Sequence, residues 1–84
     1  MGRKAQKRPK RLARKLLLIR EREDVTQAEM ASRLRKHGAE KPTHSGYVAD
    51  FETGRRLPSL FTLLAYARVG KTSTDCLIDD SLDL

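Results

Sequence analysis

The chain has 84 residues, of which 18 are Lys or Arg and 11 are Asp or Glu, so its formal net charge is +7. This length fits one small domain and leaves no room for a second. The isoelectric point near 10.1 is typical of nucleic-acid binding, although basic proteins also bind anionic membranes and acidic proteins. A single cysteine excludes an internal disulfide, and no apolar run approaches the roughly 18 residues that span a bilayer. We therefore expect a cytoplasmic protein with no membrane partner.

Basic residues are concentrated at the N-terminus, where the first fifteen residues contain no Asp or Glu. Residues 1–10 are polar and include Pro9, which predicts a disordered basic arm. Such an arm could enter a minor groove or could only keep the protein soluble. After Lys71 the balance reverses, because four acids and no base follow it.

Two helices are predicted in the first half of the chain. Apolar residues recur at helical spacing from Leu12 to Ile19, and the pattern breaks near Asp24. Residues 26–29, with Thr first and Glu last, form a capping box that opens a second helix. A glycine and a proline within residues 36–42 indicate a loop after this helix.

The second half of the chain predicts three more helices. Ser45 is the expected N-cap of the third helix, and Gly54 suits the left-handed conformation just past its end. Pro58 and Ser59 open a fourth helix that closes at Gly70. Its expected core-facing residues are Leu60, Leu63, Leu64 and Ala67. A short fifth helix, capped by Thr72 or Ser73, is expected to bury Leu77 and Ile78.

These elements predict an all-α bundle, because no strand-type alternation occurs. The expected domain spans residues 11–80, and residues 81–84 are expected to form a flexible C-terminal tail.

Two strings of the sequence resemble the Cro/phage-repressor type of helix-turn-helix, also called XRE-type. TQAEMA at 26–31 is similar to that family's opening of helix two, and YVADFETGRRLPS at 47–59 is similar to its recognition helix and the following corner. The resemblance covers roughly residues 12–80 and implies a compact five-helix lambda-repressor-like DNA-binding domain. The connection between helices two and three, from Arg35 to His44, is longer than the tight turn of this family.

The resemblance implies a sequence-specific double-stranded DNA-binding transcriptional regulator, acting as a repressor, with helix three in the major groove. The positions that it implies for DNA contact are Gln27, Ser45, Gly46, Tyr47, Ala49, Asp50, Thr53, Arg55 and Arg56. Gln27, Arg55 and Arg56 would hold phosphates, as would Thr53. Arg20 lies where this family often has an arginine that pairs with the equivalent of Glu52, so an Arg20–Glu52 ion pair is expected.

Other functions remain open, because the groove-facing positions lack the Gln, Arg or Asn side chains that read base edges. One alternative is a protein-interaction module on the same fold, with an antitoxin-like or adaptor role. Another is a non-specific nucleic-acid binder driven by the basic arm. A homodimer through helices four and five is also expected, using Leu77, Ile78, Leu82 and Leu84. No nucleophile–base pair or zinc-ligand spacing occurs, so we expect neither an enzyme nor a metal or other cofactor.

Overall fold

The computed structural model describes residues 9–39 and 43–84, and within these ranges it contains five helices and no strand. The helices are α1 (Leu12–Glu23), α2 (Gln27–Lys36), α3 (Ser45–Thr53), α4 (Leu60–Gly70) and α5 (Thr74–Ile78). The predicted all-α architecture is therefore confirmed. Residues 1–8 of the predicted basic arm lie outside the described residues. No helix in the described part of the chain is both long and apolar enough to cross a membrane.

α1 and α2 meet at a corner with well-defined helix ends. The C-cap of α1 is Asp24, a left-handed residue whose backbone N–H donates to carbonyls of the last helical turn. At the start of α2, the Thr26 hydroxyl accepts from the Glu29 N–H at 3.1 Å, and the Glu29 carboxylate accepts from the Thr26 N–H at 2.8 Å. The predicted capping box is present, and the hydrogen bond that the Thr26 backbone N–H donates to the Glu29 carboxylate lowers the pKa of Glu29.

The connection between α2 and α3 runs over residues 37–44, as the long-loop prediction required. Two arginines bridge it in the described part: Arg35 donates to the Thr43 carbonyl, and Arg68 donates to the His37 carbonyl at 2.9 Å. These bonds supply partners for backbone oxygens that the helices leave unpaired.

The N-cap of α3 is His44, so the prediction of Ser45 was wrong by one residue. His44 has extended backbone angles, and its Nδ1 accepts from the Gly46 N–H at 3.1 Å. Ser45 already has the position of the first helical residue, where a hydroxyl no longer faces the open N–H groups. At the other end, Gly54 is left-handed with φ of 79°, as predicted. Open space surrounds the position where a Cβ would lie, so the backbone conformation alone favours glycine there.

The core lies between α1, α2, α3 and α4, with α5 closing one side. Its most buried large residues include Leu16, Ile19, Met30, Leu34, Val48, Tyr66 and Leu77. The predicted inner face of α4 was wrong in part, since Leu60 is 78% exposed and Leu64 is also exposed. α4 is apolar over almost its whole length, so its sequence does not define which face turns inward. Packing turns Tyr66 and its neighbours inward instead.

The C-terminal part begins with Ser73, one of the two predicted caps, whose hydroxyl accepts from the Cys76 N–H at 3.1 Å. α5 buries Leu77, but Ile78 is exposed, which corrects the expectation that both enter the core. Adjacent helical residues lie about 100° apart around the axis, so the residue next to Leu77 turns away from the narrow contact that this short helix makes. The flexibility of residues 81–84 stays a prediction; in the structure, Leu84 packs against the core and Asp83 pairs with Arg11.

Candidate nucleic-acid interface

α3 buries one face and exposes the other. Val48 and Phe51 are buried where α3 packs against α1, α2 and the core. The predicted groove-facing residues lie away from that contact: Ser45 and Gly46 are exposed, and Ala49 and Asp50 are partly exposed. These side chains are short, so a molecule approaching this face would come close to the helix backbone.

An ion pair fixes α3 against α1. Arg20 Nε lies 2.6 Å from Glu52 Oε2, and Arg20 Nη2 donates to Glu52 Oε1 at 3.1 Å. Arg20 Nη1 also donates to the Val25 carbonyl at 3.0 Å. The Glu52 hydrogen bond raises the pKa of Arg20. This pair brings together the two residues that the family resemblance associates.

Gln27 joins the same group of side chains. Its Nε2 donates to Glu52 Oε1 at 3.2 Å, which holds the start of α2 against α3. Glu52 therefore accepts from two other elements, and its side chain is only 5% exposed. The expected phosphate contact of Gln27 would have to use the parts of its amide group that Glu52 does not engage.

Thr53 is the exposed last residue of α3, and its hydroxyl donates a hydrogen bond within the helix. Thr53 Oγ1 donates to the Ala49 carbonyl at 3.1 Å and lies 3.3 Å from the Asp50 carbonyl. A hydroxyl has one proton to donate. To donate to a phosphate, Thr53 would have to give up its bond to the preceding helical turn.

The two corner arginines share an anchor but differ in their side-chain environments. The backbone N–H groups of Arg55 and Arg56 donate to the Asp50 carbonyl at 2.9 Å and 3.3 Å. The exposed Arg55 side chain makes no ion pair or hydrogen bond with the described residues. The Arg56 guanidinium carbon instead lies 4.3 Å from the centroid of the Tyr47 ring, and Arg56 Nε is 3.8 Å from Asp50 Oδ2.

Tyr47 belongs to a row of rings that runs from the surface into the core. Its ring centroid lies 4.5 Å from that of His44 and 6.4 Å from that of Phe51. Phe51 in turn meets Tyr66 edge-on at 6.2 Å. These contacts hold the partly buried Tyr47 ring in place beneath Arg56.

The described start of the chain lies beside the same corner. Pro9 and Lys10 line a groove of about 240 Å³ together with Thr53, Arg56 and Pro58. Lys10 is exposed.

Two basic residues near the N-terminus bind groups of the C-terminal segment, and the sequence analysis did not predict these intramolecular contacts. Lys15 is only 2% exposed, and its ammonium group donates to the carbonyls of Cys76 and Asp79. Arg11 donates to the Asp80 carbonyl at 2.7 Å and pairs with Asp83. The sequence did contain a signal for Lys15, because it shares the helical spacing of the core residues Leu12, Leu16 and Ile19.

Comparison with known proteins places this chain in a family. The model of the helix-turn-helix domain matches residues 11–79, so the chain belongs to the helix-turn-helix domain family. Among solved structures, it is similar to the crystal structure of the P22 c2 repressor protein in complex with synthetic operator 9T in the presence of Tl+. The TM-score is 0.70 at 16% identity, covering 82% of this chain and 94% of that chain. No curated protein gave a significant match.

At this identity the likeness concerns the fold alone. It confirms the predicted phage-repressor-type, lambda-repressor-like architecture and the resemblance that the two sequence strings carry.

Proposed function

We propose that this protein is a sequence-specific regulator of transcription that binds double-stranded DNA, places α3 in the major groove and acts as a repressor. The observation that carries the proposal is the exposed face of α3, with short side chains on it and at its end an Arg55 that makes no ion pair with the described residues. A helix in the major groove needs such a face, and phosphate contacts beside it set the position of the protein on the duplex. The similar structure, a repressor in complex with a synthetic operator, also supports this proposal. The corresponding location is the cytoplasm.

Within this proposal, Gln27, Thr53 and Arg55 lie around the groove-facing residues and contact the DNA backbone. Glu52 holds Gln27 at the start of α2, where the helix dipole also favours an anion. Arg55 supplies a full positive charge with no competing acid among the described residues.

The protein would act as a homodimer, since one small domain reads only a few base pairs and a two-fold dimer doubles the site. The predicted dimer residues need revision, because Leu77 is in the core and Leu84 packs against it. Ile78 and Leu82 of the predicted set are exposed, but a larger number of exposed apolar residues of the described chain lie at the corner and on α4. We define the α4 surface as Leu57, Leu60, Phe61 and Leu64. Leu60, Phe61 and Leu64 share one side of α4 by helical spacing, and exposed apolar residues on one side of a helix are typical of protein contact sites.

The DNA proposal is tested by selection from randomised duplex DNA with the purified protein at two salt concentrations. We expect an enriched palindrome, and affinity that falls with salt in proportion to the phosphates contacted. Binding without any enriched sequence would leave only a non-specific binder. Absence of binding at both salt concentrations would contradict the proposal and favour the protein-interaction module.

The dimer is tested separately by sedimentation at high protein concentration. Phe61→Asp places a charge in the α4 surface and should convert a dimer into a monomer. Ile78→Asp is the matched control, because Ile78 is an exposed apolar residue on α5, outside that surface. A wild-type mass of one chain would contradict the dimer, whereas loss of the dimer only with Ile78→Asp would move the contact to α5.

A further inference from the structure

We propose that Arg56 reads a guanine base in the major groove, and that Tyr47 and Asp50 are the residues that position it. The inference rests on the proposed DNA binding and deepens it, because it assigns a base contact rather than a phosphate contact to one of the two corner arginines.

The first argument is that α3 has no Arg, Lys, Asn or Gln side chain, the types that make the commonest paired contacts with purine edges. Ser45 is short, Gly46 has no side chain and Ala49 offers only a methyl group. Discrimination between base pairs in the major groove usually depends on long side chains with paired donors or acceptors. A long donor side chain for this helix would therefore have to come from a neighbouring segment, and the corner after Gly54 is the adjacent one.

The second argument is the location of the Arg56 guanidinium. It lies 4.3 Å from the Tyr47 ring centroid, where the ring face attracts a cation. Tyr47 is the third residue of α3, and its ring contacts the His44 ring on one side and the Phe51 ring on the other. The Arg56 side chain thus lies back along the recognition helix, although its backbone belongs to the corner. About half of the side chain remains exposed.

The third argument is the geometry of the hydrogen-bonding groups. Asp50 Oδ2 approaches Arg56 at Nε, at 3.8 Å. This approach leaves the two Nη nitrogens for other partners, and a guanidinium can donate with two nitrogens to guanine O6 and N7. Stacking on Tyr47 and the nearby carboxylate restrict the rotamers of Arg56, which lowers the entropy lost on binding.

The fourth argument is charge. A carboxylate close to the guanidinium offsets its attraction for a phosphate, whose charge Asp50 would repel. The same carboxylate does not remove the Nη donors that a neutral base edge needs. Arg55 has no acid paired with it among the described residues, so it is the better phosphate ligand. Arg55 would therefore bind a phosphate, and the adjacent Arg56 would bind a base edge.

The experiment compares Arg56→Ala with its matched control Arg55→Ala, using site selection and affinity at two salt concentrations. Arg56→Ala should remove the preference for guanine at one position of each half-site and lower affinity for the best site about 10- to 100-fold per contact. Its salt dependence should stay close to that of the wild type. Arg55→Ala should weaken binding to all sequences about equally and reduce the salt slope by about 1 per contact.

Three further variants test the two positioning residues, with folding checked by thermal melting. Tyr47→Leu removes the ring and should weaken the guanine preference, whereas Tyr47→Phe keeps the ring face and should preserve it. Asp50→Asn keeps the shape but removes the charge, so binding to non-specific DNA should increase relative to the selected site.

The inference is overturned if Arg56→Ala keeps the guanine preference and lowers the salt slope as Arg55→Ala does. In that case the wild-type protein still has an enriched site, so the proposed DNA binding survives. If the wild-type protein selects no sequence, the proposed function itself fails and the base contact fails with it.

Discussion

Two groups of charged residues hold α1 to the rest of the bundle, and they differ in burial. The inner group joins Arg20 to Glu52, whose side chains are 20% and 5% exposed. The outer group joins the start of α1 to the C-terminus through pairs such as Arg11 and Asp83, which are 47% and 81% exposed. Coulomb attraction is weak between solvated charges and strong between buried ones. The inner group should therefore stabilise the fold, and the outer group should mainly complete helix ends.

The outer group shows how a helix can obtain its cap from a distant segment. Arg11, the N-cap residue of α1, makes no side-chain cap hydrogen bond. The Asp80 carboxylate accepts instead from the backbone N–H groups of Lys10 and Arg11, at 2.9 Å and 3.0 Å. In return, Lys15 donates to carbonyls at the end of α5. Each helix end is thus completed by the other terminus, where its dipole favours the opposite charge.

Loss of the inner pair should have the largest effect on stability. Glu52→Gln leaves the partly buried Arg20 cation without its partner, so the free energy of unfolding should fall by about 3 kcal/mol. Urea unfolding measures this change. Glu23→Gln is the control, because Glu23 pairs with Arg33 at 2.7 Å but at the surface, and it should cost less than about 1 kcal/mol. Equal losses in the two variants would contradict the assigned difference between the groups.

Loss of the Asp80 cap should have a smaller effect that depends on pH. Hydrogen bonds from Lys10 and Arg11 lower the pKa of Asp80, so its contribution is present above its unfolded pKa of about 4. That contribution is lost as the pH falls through the lower folded value. Asp80→Ala should therefore lower the melting temperature at pH 7 and change it little well below pH 4. Scanning calorimetry across this range measures the difference.

Asp80→Asn separates the charge from the hydrogen-bond acceptor. Its amide oxygen can still accept one backbone N–H, so its melting temperature at pH 7 should lie between those of the wild type and Asp80→Ala. A difference between wild type and Asp80→Ala that stays constant down to pH 2 would contradict the assignment of the Asp80 carboxylate as the cap.

The smallest effect is expected at Tyr66, beside the inner group. Its side chain is fully buried, burial raises the pKa of its hydroxyl, and that hydroxyl has no hydrogen-bond partner among the described residues. Tyr66→Phe removes a buried polar group without removing the ring, so stability should stay unchanged or rise by up to about 1 kcal/mol. Urea unfolding tests this, with Tyr47→Phe as the surface control. A clear loss of stability would show that the hydroxyl contributes a favourable interaction.

Features that depend on neighbours in the chain were predicted best. The capping box at Thr26 and the left-handed Gly54 both appear as expected, because a few adjacent residues make the hydrogen bonds or the turn. The N-cap of α3 was missed by one residue, since His44 performs a task that short polar side chains usually perform. The inner face of α4 was predicted only in part. Leu60 and Tyr66 are both apolar enough for the core, and only the packing of the helix decides that Tyr66 is buried and Leu60 is exposed.

The sequence alone determined most of the helix ends, because most caps and turns form between residues close in the chain; the Asp80 cap of α1 is an exception. It also contained the strings that associate this chain with helix-turn-helix proteins. Only the tertiary structure decided which basic residues are available to a partner. Lys15 is enclosed by carbonyls of the C-terminal segment, Arg56 is held by Tyr47 and Asp50, and Arg55 extends from the corner. The availability of a charge depends on groups distant in sequence that folding brings within a few ångströms, and composition does not contain that information.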